Sequence, residues 1–320
     1  MPPAVKQTLT DFFTVGAYKF GSVLARGVPG GSTGLVSSAI SLPPFWLSSE
    51  KRVMVERHMR RVNPQANESE IRRMAREVFQ SYAHYYLESF RLPSLRADKV
   101  AATTTIYGYT ENLLPALEKG NGAIFALPHL GGWEWMGRWA VDTGVKMTVV
   151  VEAIQPPALF EWFANLRRKF GMTVIPLGPQ AGTEVLRALR NNEVVCLLSD
   201  RDLTGGGIPV TFFGETTTLP AGPATMALRT GAALLPTAAY FTDRNLGHHG
   251  IIGAPMVCER EGRLRPDVTR ITQNLALELE TLIRKAPSQW HLLQPNWPSD
   301  PGFKYHLASQ SNAESTVNDA

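Results

Sequence analysis

The segment GAIFALPHLGGWE, residues 122–134, joins an uninterrupted apolar run to a histidine, a pair of glycines and a glutamate. Its first part, Ala123–Leu127, consists of apolar residues bounded by a glycine and a proline, a pattern typical of a strand buried on both faces. From Trp133 onward the apolar residues follow helical spacing. The segment therefore predicts a buried strand whose carboxyl end leads through a short turn into a helix.

Short apolar runs and helical patterns continue to alternate after this segment. Such alternation predicts βαβ units, and hence an α/β fold with a mostly parallel central sheet flanked by helices. Two later apolar runs extend the sheet, and a last helix follows them. The predicted strands are Ala123–Leu127, Met147–Val151, Met172–Ile175, Val194–Leu198, Ala232–Phe241 and Gly250–Val257, and the predicted helices are Trp133–Thr143, Pro157–Phe170, Gly182–Asn191 and Pro266–Lys285.

The N-terminal part of the chain predicts a helical layer. Asn67, followed by Glu70, is typical of a capped helix start, and apolar residues at helical spacing continue almost to Pro93. Residues 27–49 carry no charge, but their glycine, serine and proline content argues against a membrane-spanning helix. Aromatic residues beside lysine and arginine instead predict a segment that lies on a membrane interface. A pair of helices packed on the domain is the alternative.

Neither internal repeats nor a linker divides the sequence. We therefore expect a single domain over residues 1–305, in which residues 1–65 form a membrane-associating helical segment. The polar residues 306–320 are expected to be disordered. The start of the sequence lacks the features of a secretory signal, so none is expected.

The overall charge favours anionic partners. The net charge is +4 and the pI is about 9.1, which suits phosphates or a membrane surface. No zinc-finger, ribonucleoprotein or basic-zipper motif is present, so nucleic acid is not an expected partner. Cys196 and Cys258 are too few for a disulfide framework, and Cys196 lies in an apolar run, which indicates a reducing compartment.

Polar residues follow two of the predicted strands. His129 and Asp200 come directly after them, at the edge of an open α/β sheet where ligands collect. An imidazole can take a proton from a hydroxyl near neutral pH when an acceptor holds its other ring nitrogen. Glu134 could be that acceptor, because the glycines at 131 and 132 would let the turn fold back toward the imidazole. The alternative is a strand-end histidine beside a solvent-facing glutamate.

Three stretches carry a family resemblance. HLGGWE after GAIFALP resembles the His-x4-Asp/Glu motif of the lysophospholipid and lipid A acyltransferase superfamily. LLSDRDLTGGGIPVTFFGETTTLPAGPATMALRTGAALLP, residues 197–236, resembles the second signature of its lipid A-type branch. WHLLQPNWPSD, residues 290–300, resembles the actinobacterial branch that acylates phosphatidylinositol mannosides. The resemblance is weakest near the N-terminus.

The resemblance implies catalytic roles for two residues. His129 would be the general base and Glu134 the acid that orients it. Asp200 matches the acid after the second strand and competes with Glu134 as the partner of His129.

The resemblance also implies substrate-binding residues, of which Asp200 is one. Glu152 and Arg167 match positions near the acceptor pocket, and a surface ion pair is the alternative. Arg201 would either bind a phosphate or pair with Asp202.

The pair His248–His249 lies among turn residues and is expected to be solvated.

The activity implied is transfer of a palmitoyl-type acyl group from acyl-CoA to a mannose hydroxyl of a phosphatidylinositol mannoside. The protein would bind peripherally to the anionic cytoplasmic face of the cell membrane. Neither a metal nor a cofactor beyond the acyl-CoA co-substrate is implied. The one Gly-x-Ser-x-Gly pattern of the sequence, residues 30–34, follows no predicted strand, so it is not the strand-to-helix elbow of a serine nucleophile. The alternatives are a lipid A-type late acyltransferase, a general lysophospholipid acyltransferase and a non-enzymatic lipid-binding protein with a degenerate site.

Overall fold

The computed structural model of the chain describes residues 3–242 and 247–303. The tail predicted as disordered, residues 306–320, lies outside these ranges. Within them the strands are β1 Thr104–Tyr107, β2 Ala123–Leu127, β3 Met147–Val151, β4 Thr173–Pro176, β5 Val194–Leu198, β6 Ile208–Phe212, β7 Glu215–Leu219, β8 Ala233–Phe241 and β9 His248–Ile252. The helices are α1 Pro3–Arg26, α2 Thr33–Leu47, α3 Ser49–Val62, α4 Glu68–Arg91, α5 Ala97–Ala102, α6 Leu114–Glu118, α7 Trp133–Asp142, α8 Pro157–Lys169, α9 Ala181–Arg190, α10 Gly222–Thr230 and α11 Leu264–Lys285.

A mostly parallel sheet forms the centre of the molecule. In the described residues it has seven strands in the order β1-β9-β8-β2-β5-β3-β4. Neighbouring strands run parallel except for β8 and β9. The predicted α/β fold is therefore confirmed. Strand β2 lies between β8 and β5, and all of its residues are buried.

The two faces of β2 pack into different parts of the core. Ile124 and Ala126 join a cluster that includes side chains of α4, α9 and α11. Phe125 and Leu127 join a second cluster with Ala140 of α7. Because successive side chains of a strand point to opposite faces, a strand covered on both sides must be apolar throughout. This double burial explains the uninterrupted apolar run from which the strand was predicted.

Short strands at the margins were not predicted correctly. The sequence patterns predict neither β1 nor the antiparallel hairpin of β6 and β7, and they place β9 at Gly250–Val257 instead of at His248–Ile252. These strands are only partly buried and mix polar with apolar residues, so they lack the continuous apolar run of the central strands. The hairpin closes through Phe213 and Gly214, whose φ angles are 49° and 77°, as a tight hairpin turn requires.

The predicted N-terminal helical layer packs on the sheet domain. Helix α4 begins at the predicted cap, where the Asn67 side chain accepts the Glu70 N–H and the Glu70 carboxylate accepts the Asn67 N–H. Helix α2 contains most of the uncharged segment and lies against α4. Among the helices described, none is long and apolar enough to span a membrane.

A buried carboxylate ties α4 to β9. Glu88 Oε2 lies 2.8 Å from His248 Nε2, and Glu88 Oε1 lies 3.2 Å from His84 Nε2. His248 was predicted to be solvated, which is wrong: its ring is buried and stacks on Trp135 at a centroid distance of 4.3 Å. Burial opposes ionisation of Glu88, but the charge and hydrogen bond of His248 outweigh it and lower the pKa of Glu88 to about 2. Ionised Glu88 therefore stabilises the folded state at neutral pH.

Replacement Glu88→Gln should remove a pH-dependent part of the stability. The folded pKa of about 2 lies below the usual 4.5, so Glu88 stabilises the fold above pH 4.5 and stops doing so as the pH falls toward 2. We expect the wild type to exceed the variant by up to about 3 kcal/mol in free energy of unfolding near neutral pH. This difference should shrink below pH 4.5 in urea titrations followed by circular dichroism.

The matched control for this measurement is Glu161→Gln, which removes an exposed carboxylate that pairs with Arg168. The free energy of unfolding of this variant should differ little from that of the wild type at every pH, because exposed ion pairs contribute little. A difference for Glu88→Gln that stayed constant across the acidic range would contradict the assignment of an ionised, buried Glu88.

Candidate active site

His129 and Asp200 meet at the carboxyl edge of the sheet. They follow the parallel neighbours β2 and β5, whose register places Leu127 opposite Leu198. Asp200 Oδ1 lies 2.7 Å from His129 Nδ1, and Asp200 Oδ2 accepts the backbone N–H of His129 at 3.0 Å. A carboxylate only accepts hydrogen bonds, so Nδ1 of the imidazole carries the proton and Nε2 is its basic nitrogen. This arrangement leaves a base, held in one tautomer, at the end of a buried strand.

The carboxylate of Asp200 is fully buried and accepts several hydrogen bonds. The indole Nε1–H of Trp290 donates to Oδ2 at 2.7 Å, and the side-chain amide of Asn296 donates to the backbone carbonyl of Asp200 at 3.0 Å. Burial alone would raise the pKa of Asp200. The charge of His129 and the hydrogen bonds from His129 and Trp290 outweigh burial and hold this pKa below its usual value. Asp200 is therefore ionised at neutral pH.

Residues 287–300, here called the C-terminal strap, cross the turn that follows β2. The Gly131 N–H donates to the carbonyl of Gln289 at 2.9 Å, and the His291 N–H donates to the carbonyl of His129 at 2.7 Å. At the far end of the strap Arg61 binds Asp300 at 2.7 Å. The strap therefore holds the backbone that immediately follows the imidazole-bearing residue, from the His129 carbonyl to the Gly131 N–H.

Sequence reasoning used the strap only as a family signature and did not single out Trp290 as a partner of Asp200. The available signal was chemical: a buried indole N–H needs an acceptor. The acceptor itself could not be read from the sequence, because Asp200 is 90 residues away along the chain.

The expected contact between Glu134 and His129 is corrected by the structure. Arg167 Nε donates to both carboxylate oxygens of Glu134, at 3.0 and 3.1 Å, and Arg167 Nη2 donates to Oε1 as well. The Tyr85 hydroxyl donates to Oε1 at 3.3 Å. Glu134 lies in the first turn of α7, while Asp200 already occupies the Nδ1 side of the imidazole. Glu134 is thus placed to orient Arg167.

Both glycines of the turn are required, but not to fold Glu134 back toward His129. Gly131 has φ +58°, and a Cβ there would lie 2.3 Å from the Ala239 carbonyl oxygen. A Cβ on Gly132 would lie 2.6 Å from Cδ2 of His248. Real Cβ atoms do not approach so closely. The glycines therefore let the turn pack against β8 and β9.

A cavity of about 370 Å³, here called the reaction cavity, lies beside His129. Four predicted site residues line it: His129, Glu152, Arg167 and Arg201. Asp200 and Glu134 do not line the cavity themselves. Asp200 contacts the lining residue His129, and Glu134 contacts the lining residue Arg167. Most of the other lining residues are aromatic, among them Tyr82, Tyr85, Tyr86, Trp133 and His291. The structure thus gathers the predicted residues around one space.

Arg201 gives this cavity a largely buried cation. Burial lowers the pKa of Arg201, and the charges of Glu152 and Asp200 oppose that shift; a guanidinium remains protonated in proteins. Asp202, the alternative partner in the sequence reading, accepts backbone N–H groups of the turn at residues 204–207. Its carboxylate therefore organises the glycine-rich turn.

His291 is a wall residue that sequence reasoning missed. Its Nε2 lies 2.8 Å from the Ser81 hydroxyl oxygen, and its ring packs near Tyr82 and Trp133. Burial, and then the charge of His129, hold the pKa of His291 well below its usual value. His291 is therefore a neutral part of the cavity wall.

A second space, here called the inner cavity, lies between the sheet and α7. Its volume is about 100 Å³, and its wall is almost entirely apolar. Trp133, Val151, Arg167 and Leu198 line both this cavity and the reaction cavity, so the two spaces adjoin. Cys196 also lines it; burial raises the pKa of this thiol to about 12, so it remains protonated and is no nucleophile.

The sequence of this chain is similar to those of known bacterial acyltransferases. The family of bacterial lipid A biosynthesis acyltransferases matches residues 37–299. A phosphatidylinositol mannoside acyltransferase of Mycobacterium tuberculosis is 41% identical over 225 residues, which is 69% of each chain. Another from Mycolicibacterium smegmatis is 38% identical over 230 residues, covering 71% of this chain and 73% of that protein. The chain therefore belongs to the bacterial lipid A biosynthesis acyltransferase family.

Proposed function

We propose that this acyltransferase moves a fatty acyl group from acyl-CoA to a mannose hydroxyl of a phosphatidylinositol mannoside, with His129 as the general base. The names of the similar mycobacterial proteins support this acceptor. The observation that carries the mechanism is the His129–Asp200 pair at the wall of the reaction cavity.

In the proposed reaction the Nε2 atom of His129 removes the proton of the acceptor hydroxyl as its oxygen attacks the thioester carbonyl. The carbon–sulfur bond then breaks, and the imidazolium returns the proton to the departing thiolate. The products are an ester and free CoA. Asp200 stabilises the imidazolium while His129 holds the proton, because the ionised carboxylate is hydrogen-bonded to Nδ1.

The donor chain is proposed to enter the inner cavity. This space adjoins the reaction cavity and presents apolar side chains from β2, β3 and β5. Its volume of about 100 Å³ is below the roughly 300–1,000 Å³ of typical ligand sites. We therefore expect its flexible methionines, Met136, Met147 and Met172, to move aside for the chain.

The acceptor headgroup is proposed to occupy the reaction cavity. A phosphoinositol mannoside carries a phosphate and many hydroxyls, which require a cation and hydrogen-bonding groups. Arg201 supplies a cation at the wall, and Glu152 and the tyrosine hydroxyls supply polar groups. Charge-assisted contacts to phosphate are about twice as strong as neutral ones. Arg167 is already paired with Glu134, so we propose that it shapes the junction of the two cavities.

Peripheral binding to the cytoplasmic face of the membrane is part of the proposal. Helices α1 and α2 expose large apolar side chains, among them Phe20, Leu35 and Trp46, and the chain is basic. Such surfaces bind anionic bilayers by apolar burial and charge attraction. Sedimentation with anionic vesicles should weaken as salt is added. Vesicle binding that depends neither on the anionic lipid content nor on the salt concentration would contradict this proposal.

Loss of either member of the His129–Asp200 pair should be far more damaging than loss of Glu134. We expect His129→Ala and Asp200→Asn each to lower kcat by about 10² or more, because the base is deleted or held in the wrong tautomer. Glu134→Gln should cost less, since it disturbs Arg167 and not the imidazole. Steady-state kinetics with acyl-CoA and acceptor measure this order. Equal losses for Asp200→Asn and Glu134→Gln would contradict the assignment.

Trp290 is proposed as a positioning residue, and Trp290→Phe tests it. The change removes the indole donor to Asp200 but retains an aromatic ring. We expect kcat to fall about tenfold with the KM for acyl-CoA nearly unchanged, because only the orientation of the base is weakened.

Trp297→Phe is the matched control for that variant. Trp297 lies in the same strap, is equally buried and donates its indole N–H to the Phe212 carbonyl at 3.1 Å, away from Asp200. Both variants should lose similar stability in urea titrations, but the control should retain its kcat. Parallel losses of kcat in the two variants would show a merely structural role for Trp290.

The acceptor is tested by mass spectrometry of the lipids that the purified protein acylates. We expect acyl-CoA and phosphatidylinositol mannoside to give a product with one additional acyl group on mannose, with lysophosphatidic acid a poor acceptor because it lacks a sugar ring. Equal turnover of phosphatidylinositol mannoside and lysophosphatidic acid would indicate a general lysophospholipid acyltransferase. Preference for a lipid A precursor with acyl carrier protein would indicate a lipid A-type late acyltransferase. Lipid binding without any turnover would leave the non-enzymatic alternative.

A further inference from the structure

A third space, here called the outer cavity, lies between α1, α2 and α4. Its volume is about 570 Å³, within the roughly 300–1,000 Å³ of typical ligand sites. Aliphatic and aromatic side chains form most of its wall, and Lys51 is the charged residue among those described there. Representative lining residues are Leu24, Val28, Val36, Ile40, Leu87 and Phe90. This composition suits a hydrocarbon chain.

Two tyrosines connect the outer cavity to the reaction cavity. Tyr82 and Tyr86 line both spaces, and their hydroxyl oxygens lie 3.1 Å apart. Their rings therefore form a shared wall with one side toward His129 and the other toward α1 and α2. A ligand that reached past these rings would occupy both cavities at once.

The outer cavity also opens on the exposed apolar surface of α1 and α2. Leu24 and Ile40 belong to its lining, yet each is more than half exposed. Phe20 and Leu35, on the same helices, are exposed as well. A lipid drawn from a bilayer that contacts this surface would meet the cavity before it met His129.

We propose that the outer cavity binds an acyl tail of the acceptor lipid, an inference that rests on the proposed function. A phosphatidyl lipid carries two acyl tails and a phosphate beside its sugar headgroup. The tail would lie in the outer cavity, the headgroup in the reaction cavity, and Lys51 would add a cation for the phosphate. The donor chain has its own space, because the inner cavity lies on the sheet side of Trp133 and shares neither tyrosine.

Replacement Val36→Trp fills the outer cavity from α2 and tests this inference. We expect the KM for a short-chain, water-soluble diacyl phosphatidylinositol mannoside to rise about tenfold or more, as apolar contact with the tail is lost. The KM for acyl-CoA should be unchanged, as should turnover of the deacylated glycerophosphoinositol mannoside. Val23→Trp is the matched control: Val23 is exposed on α1 and does not line the cavity. Ala83→Phe, which fills the cavity from α4, replaces Val36→Trp if that variant fails to fold.

Calorimetric binding of dioctanoyl phosphatidylinositol gives a readout that does not depend on turnover. The dissociation constant should rise about tenfold in Val36→Trp and stay constant in Val23→Trp. Equal values in the two variants would overturn the inference, as would weaker sedimentation with vesicles at an unchanged KM for the soluble lipid. If the lipid binds as expected but no mannoside is acylated, the proposed function fails while the cavity stands as a lipid site. If the mannoside is acylated with equal KM in both variants, only the cavity inference fails.

Discussion

One buried carboxylate joins the parts of the molecule that form the site. Asp200 follows β5, accepts two hydrogen bonds from His129 after β2, and accepts a third from Trp290 in the C-terminal strap. An ionised carboxylate without such partners would cost several kcal/mol to bury. The fold must therefore bring the strand pair and the strap to one point. Arg61 of α3 extends this constraint to the N-terminal layer by binding Asp300 at the end of the strap.

The cavities around this point suggest separate places for the parts of the reaction. The inner cavity lies beneath Trp133, and the reaction cavity holds His129 and Arg201. The outer cavity begins behind the shared tyrosine wall and opens on exposed apolar helices. The Glu134–Arg167 pair lies where the first two spaces adjoin. Glu134, although close to His129 in sequence, therefore contacts Arg167 and not the imidazole.

Sequence patterns were sufficient where a single physical requirement dominates. Burial on both faces makes β2 continuously apolar, and its pairing with the apolar, partly buried β5 places His129 and Asp200 at one edge. Sequence patterns were insufficient where a side chain's partner is distant along the chain. The indole of Trp290 reaches Asp200 across 90 residues. The turn residues around His248 predict a solvated side chain, but its partner Glu88 lies on a helix 160 residues earlier in the chain. The glycine pair was detected, but its purpose depends on close packing against Ala239 and His248.

The central claim is that Asp200 acts on the reaction through His129. A kinetic comparison of His129→Ala, Asp200→Asn and the double variant tests it most directly, because residues that act as a unit have non-additive effects. The claim predicts that Asp200→Asn causes almost no further loss of kcat once His129 has been removed. If the two losses instead multiplied in the double variant, Asp200 would act independently of His129, and the proposed role of the pair would be contradicted.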